Sequence, residues 1–207
     1  MIKEFGNLDR IMLKLARHVS KLPVSPNQWT LISIMPAIAG FFLVIYGNFL
    51  AAFVAFLVSG GIDGIDGAVS RYRGTSSALG AFIDGTIDRF VDFIIIFSFL
   101  FMGLPDFLIP VSWWVAIAAY WALVPTFIVA YANHREAVND PKEKVVWRIF
   151  HRVEMYALWL LALLVVTISP QWALYILVFT AVLSVITAFQ SFALAIIKSR
   201  QQALHLK

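Results

Sequence analysis

Four aspartates in two pairs, Asp63/Asp66 and Asp84/Asp88, interrupt segments that otherwise read as membrane helices. A carboxylate in the lipid interior is unfavourable by roughly 2.5–3.5 kcal/mol on insertion scales, and several together repel unless a cation or protons compensate. The first pair lies in Gly60-Gly61-Ile62-Asp63-Gly64-Ile65-Asp66-Gly67-Ala68-Val69-Ser70-Arg71. The second follows a polar turn, in Gly80-Ala81-Phe82-Ile83-Asp84-Gly85-Thr86-Ile87-Asp88-Arg89. At about 100° per residue, Asp63, Asp66, Gly67 and Ser70 share one face of a helix, and Gly80, Asp84 and Asp88 share one face of the next. A short turn around Arg73-Gly74-Thr75-Ser76 makes these helices antiparallel neighbours, so their acidic faces can meet.

Oxygen ligands in a chain without cysteine suit a hard divalent cation, Mg²⁺ or Mn²⁺, better than structural zinc. Such ions keep positions open for water or phosphate oxygens, so a phosphate-bearing ligand is expected. Glycine is unfavourable by about 0.8–1 kcal/mol against Ala inside a helix, so its repeated use between 60 and 80 calls for a reason. Gly60, Gly61 and Gly64 suit close helix packing. Gly67 and Gly80, beside or in line with the carboxylates, could admit a ligand to the backbone. Arg71 could bind a diphosphate, pair with the acids or simply mark the membrane boundary.

The elements that must carry these groups are membrane helices. The chain has 207 residues, 61% hydrophobic and 14% charged, outside ordinary soluble composition. No Asp, Glu, Lys or Arg occurs between Lys21 and Asp63 or between Glu154 and Lys198, and each gap holds about two spans at ~20 residues per crossing. Breakers at Tyr46-Gly47-Asn48, Gly103-Leu104-Pro105-Asp106 and Ser169-Pro170-Gln171 divide the pattern into spans near 28–46, 49–72, 77–102, 107–133, 147–168 and 171–198.

Six crossings put both termini on one side. The Lys and Arg residues fall in the N-terminal segment, around 71–73 and 89, across 135–152 and in the C-terminal tail, and the three opposite turns carry none. This predicts cytoplasmic termini and a cytoplasmic site. The net charge of +4 then reflects topology and anionic lipid, and no nucleic-acid-binding pattern appears.

Ahead of the first span, Arg10, Lys14, Arg17 and His18 oppose Leu8, Met12, Leu15 and Val19, predicting an interfacial helix over about residues 5–21. Ser25-Pro26-Asn27-Gln28-Trp29-Thr30 then turns into the first span, where Asn27, Gln28 and Thr30 either cap the helix, which the local chemistry favours, or face the acids. No secretory signal, internal repeat or second domain is read, and residues 1–207 are expected to form one all-α membrane domain.

The pattern Asp63-x2-Asp66-Gly67-x2-Ser70-Arg71-x8-Gly80-x3-Asp84-x3-Asp88 resembles the signature of the CDP-alcohol phosphotransferases, with Ser70 where members commonly carry Ala. Six helices behind an interfacial one agree with it over nearly the whole chain, and Ser25–Thr30 resembles the family's entry to its first span. The resemblance implies that an alcohol oxygen attacks the β-phosphorus of a CDP-linked donor and displaces CMP. It implies that Asp63, Asp66, Asp84 and Asp88 hold one or two Mg²⁺ or Mn²⁺ ions, with Asp88 also the general base. Asn27, Thr30, Gly67, Ser70, Arg71 and Gly80 would meet the nucleotide. A homodimer in a prokaryotic plasma membrane is likewise implied.

The run from Gly80 to Arg89 resembles the inositol-phosphate-accepting branch more than the glycerol-phosphate or serine branches. The donor expected is a CDP-activated lipid, diacylglycerol or archaeol; transfer from soluble CDP-inositol and a glycerol phosphate acceptor are the alternatives. Among the basic residues between spans four and five, Arg135, Arg148 and Arg152 are the candidates for the acceptor phosphate, with His134 and His151 bystanders. Glu154 is expected in a structural ion pair and Asp92 beside a basic residue. A divalent-cation or proton pathway would continue polar groups across the membrane, whereas here the outer halves are apolar. A scaffold would not need four convergent acids.

Overall fold

The computed structural model describes residues 19–20, 23–138 and 149–205, with side chains followed to residue 202. The expected interfacial helix, Val19 and Ser20 apart, and Arg148 lie outside the described residues. The fold is all-α and falls into two compact units divided between Ser98 and Phe99. Among the described residues the first unit holds α1 (Pro26–Ile45), α2 (Phe49–Arg73) and α3 (Ala78–Ser98). The second holds a 3₁₀ turn (Phe99–Phe101), α4 (Val111–His134), α5 (Arg152–Val165) and α6 (Pro170–His205).

Local sequence accounts for the helix ends. Ser25 Oγ accepts the Gln28 amide at 3.3 Å and Gln28 Oε1 accepts the Ser25 amide at 2.8 Å, a reciprocal cap with Pro26 at the first helical position. Asn48 caps α2 through the Ala51 amide at 3.2 Å. Gly74 closes α2 at φ +64°, a left-handed conformation that glycine adopts without a Cβ penalty.

In the first unit α1 packs along α2 and, less extensively, α3, while α2 and α3 touch at few positions. The acidic helices are therefore not the closely packed pair the short turn suggested, because α1 supplies a packing surface to both. Ala37, Val44, Ala52 and Phe56 are fully buried in this unit. Ser59 Oγ donates to the Ser33 carbonyl at 2.7 Å, tying α2 to α1 through a bond with both partners buried.

In the second unit α6 packs against both α4 and α5. Trp159, Leu163, Leu174 and Leu177 are buried there, and the Trp159 indole donates to Thr180 Oγ1 at 3.3 Å.

Helices α1, α2, α4 and α6 are long and apolar enough to cross a membrane. Large apolar side chains stand exposed on every helix, among them Leu31, Leu50, Phe82, Trp113, Leu161 and Phe179, as a lipid solvent allows. Of the six expected crossings, four are met in length and composition among the described residues. The segment expected over 77–102 ends its α-helix at Ser98 and carries Asp84, Asp88, Arg89 and Asp92. The segment expected over 147–168 yields 14 helical residues, about 21 Å at 1.5 Å per residue. At its start His151 is the N-cap, and the Glu154 carboxylate accepts the His151 amide at 3.0 Å. Glu154 is thus a helix cap, and the ion pair expected for it is not among those of the described residues.

Candidate active site

The cap at Ser25 sets the register of α1. With Ser25 and Gln28 committed to capping, Asn27 and Thr30 turn toward α2 and α3, so the capping role favoured for them does not hold. Thr30 is 3% exposed, and its hydroxyl donates to Asp66 Oδ2. One turn on, the ladder continues: Ser33 Oγ donates to the Thr30 carbonyl at 2.6 Å.

Asp63 and Asp66 stand one turn apart on α2, and Asp84 reaches them from α3. One carboxylate oxygen from each lies within 4.8 Å of the others, Asp66 buried and the other two half-buried. Three hard oxygen donors in this space could supply part of the shell of a divalent cation, leaving positions for water or ligand oxygens. Asp88 lies one turn beyond Asp84, outside that group, with its carboxylate 3.8 Å from Arg89. Arg89 is also 3.3 Å from buried Asp92, the basic partner expected for that aspartate.

Asp66 and Asp84 line a cavity of about 230 Å³ together with Asn27, Thr30, Gly67, Ser70, Arg71 and Gly80, and with Pro26, Ser76, Ser77 and Ala81. Its size is below the roughly 300–1,000 Å³ of drug-sized sites, so it suits a polar fragment rather than a whole lipid. Gly80 has a packing reason to be glycine. A Cβ there would stand 3.2 Å from Ser77 Oγ and 3.3 Å from Asn27 Oδ1. At Gly67 the nearest neighbour of such a Cβ is the Arg71 guanidinium, at 3.4 Å. Gly61, assigned above to packing, has open space at the same position.

Sequence reasoning missed Ser76, treated as part of the turn, and Ser77, treated only as the start of the third span. Ser77 Oγ accepts the Gly80 amide at 3.0 Å in the first turn of α3, and Ser70 and Ser76 hydroxyls are 3.2 Å apart across the cavity mouth. It also missed Arg73, read as a boundary charge. The Arg73 guanidinium donates to the Val24 carbonyl at 2.8 Å and the Ser20 carbonyl at 2.6 Å, holding the approach to α1 against the end of α2. A hydroxyl-rich turn preceded by two arginines was the available signal.

Arg135 and Arg152, expected at the acceptor phosphate, belong to the second unit. Arg135 donates to the Tyr131 hydroxyl at 3.0 Å and lies 5.3 Å from that ring's centroid, and Arg152 lies 5.9 Å from the Tyr156 ring. His134 ends α4 and His151 precedes α5.

Helices long and apolar enough to cross a membrane thus bring Asp66 and Asp84 into the lining of a cavity completed by hydroxyls, glycines and an arginine, with Asp63 beside them, an arrangement that defines a membrane protein with a candidate divalent-metal site. The chain belongs to the CDP-alcohol phosphatidyltransferase family, whose profile matches residues 23–196. It is 29% identical over 122 residues to the archaetidylinositol phosphate synthase of Pyrococcus horikoshii, covering 59% of this chain and 60% of that one. It is 29% identical over 171 residues to the bifunctional IPC transferase and DIPP synthase of Archaeoglobus fulgidus, covering 78% of this chain and 32% of that protein. The chain thus spans under two thirds of either relative. In fold it matches the Mycobacterium tuberculosis phosphatidylinositol phosphate synthase with CDP-DAG bound, at TM-score 0.75 and 24% identity over 90% of this chain and 94% of that one. The same enzyme in complex with manganese and citrate matches at TM-score 0.73 and 23% identity, over 89% and 88% of the two chains.

Proposed function

We propose that this protein transfers a substituted phosphoryl group from a CDP-activated lipid, diacylglycerol or archaeol, to inositol phosphate, releasing CMP. The observation that carries this is the convergence of Asp63, Asp66 and Asp84, the last two of which line the cavity shared with Asn27, Ser70, Arg71 and Gly80. Relatives named for inositol phosphate synthesis support the choice of acceptor.

The acceptor oxygen forms a bond to the β-phosphorus as the bond from that phosphorus to the CMP oxygen breaks. The acceptor's proton passes to the Asp88 carboxylate and on to solvent. Asn27, Ser70 and Arg71 hold the nucleotide diphosphate, with Gly67 and Gly80 leaving room for it against the helices. A Mg²⁺ or Mn²⁺ held by Asp63, Asp66 and Asp84 would supply charge neutralisation for the diphosphate and the departing CMP. A relative in complex with manganese supports such a cofactor. Arg135, Arg148 and Arg152 bind the acceptor phosphate, with Arg's planar fork suited to its oxygens. Six crossings with cytoplasmic termini, a homodimer and the plasma membrane of a prokaryote complete the reading, supported by the distribution of Lys and Arg.

The test is CMP release by purified protein in proteoliposomes with Mg²⁺ or Mn²⁺. CDP-diacylglycerol, CDP-archaeol and soluble CDP-inositol are each offered with labelled inositol phosphate, glycerol phosphate or serine. Inositol phosphate label in lipid is expected. Label from glycerol phosphate instead would move the acceptor, and label from serine alone would refute a phosphorylated acceptor. Ion flux without CMP release would make the protein a transporter.

A further inference from the structure

Thr30 was expected to meet the nucleotide, yet its hydroxyl is spent elsewhere. A threonine hydroxyl carries one proton. Its possible acceptors here are the Pro26 carbonyl, 3.2 Å away in the preceding turn, and Asp66 Oδ2. A carboxylate is the stronger acceptor, since hydrogen bonds to ionised groups are roughly twice as strong as neutral ones. Asp66 is the buried member of the three-carboxylate group, 4% exposed, and Thr30 is buried with it. We infer that Thr30 is a positioning residue for the metal site, fixing the rotamer of Asp66 so that its other oxygen faces Asp63 and Asp84.

Three further features hold Thr30 itself in place. Its backbone carbonyl receives the Ser33 hydroxyl, and the Ser33 carbonyl receives the Ser59 hydroxyl from α2. Two turns below, Gly40 lets Phe56 close against α1. The hydroxyl therefore projects from a helix locked to the one that carries Asp66, which gives it leverage over that carboxylate. Partners of this kind behind a ligand hold its orientation, and their loss lowers metal affinity by about 10–100-fold.

This inference rests on the proposed metal role of the aspartates, and the experiment separates the two. Mn²⁺ binding to the purified full-length protein, without nucleotide, is followed by the electron paramagnetic resonance signal of free Mn²⁺. It is measured for wild type, Asp66→Asn, Thr30→Val and Thr30→Ser, with thermal unfolding of each metal-free protein. Thr30→Val keeps the shape and removes the hydroxyl, so Mn²⁺ affinity should fall at least about tenfold. Thr30→Ser restores the donor and should bind within about threefold of wild type, and a structural role alone would not track the hydroxyl in this way. Wild-type Mn²⁺ affinity in Thr30→Val, with weakened CMP binding, would return Thr30 to the nucleotide and overturn the positioning role alone. Wild type that binds no Mn²⁺, or Asp66→Asn that binds it unchanged, would overturn the metal reading as well.

Discussion

Gly40 on α1 faces the ring of Phe56 on α2 so closely that a Cβ on the glycine would lie 2.9 Å from Cε2. Both residues are buried, and the ring belongs to the apolar core of the first unit. No methyl fits there without moving this buried aromatic side chain. Gly40→Ala should therefore destabilise the protein by about 1–3 kcal/mol, the usual cost of overpacking. Gly61→Ala, which adds its methyl to open space, should be neutral or stabilising. Thermal unfolding in one detergent compares them, and Phe56→Leu should recover part of the Gly40→Ala loss.

Asp63, Asp66 and Asp84 form one group, and Asp88 stands outside it. Asparagine at any of the three should abolish Mn²⁺ binding and turnover together. Asp88→Asn should lower turnover by roughly 10²–10⁴-fold, the range for loss of a general base, and largely spare CDP-donor binding. Parallel titrations of Mn²⁺ and donor read the difference; undiminished turnover in Asp88→Asn would remove the base assignment.

Chelation extends the same reasoning. EDTA should stop CMP release completely, and Mg²⁺ or Mn²⁺ in excess should restore it. Activity that survives exhaustive chelation would contradict a metal held by the carboxylates.

Arg73 holds the Val24 and Ser20 carbonyls, and so the entry to the helix that supplies Asn27 and Thr30. Hydrogen bonds from a charged donor contribute about 1.5–3 kcal/mol when buried, and less at this partly exposed position. Arg73→Gln should raise the KM for the CDP donor several-fold with a smaller change in kcat. Equal loss in both would point to general destabilisation instead.

Arg135 and Arg152 stack on tyrosines of their own helices. Arg135→Ala and Arg152→Ala should raise the KM for inositol phosphate with little change in donor KM. The tyrosine contacts make a further comparison useful: Tyr131→Leu and Tyr156→Leu should weaken acceptor binding less than loss of the arginines.

Much of the chemistry is local and was readable along the chain. Carboxylates at i, i+3 and i, i+4 spacing must share a helix face whatever surrounds them, and charge-free stretches of this length must be membrane-compatible. The turns at Gly47 and Gly74 follow for the same reason, since the φ values they need favour glycine. That is why Asp63, Asp66, Asp84, Gly67 and Gly80 could be named from spacing. The shortness of α5 was less accessible, because the apolar pattern that marks a span does not mark the cap at His151 and Glu154.

Tertiary structure decided what spacing leaves open. Whether Thr30 caps its own helix or bonds Asp66, 36 positions away, depends on the approach of α1 to α2. That approach is set by Gly40 under Phe56 and by the Ser59 hydroxyl reaching the Ser33 carbonyl. Ser76, Ser77 and Arg73 gained their places in the same way, through partners distant in the chain or across a turn. Periodicity assigns a residue to a face, but only packing between faces selects the partner, because the competing hydrogen bonds differ by far less energy than the burial that brings the helices together.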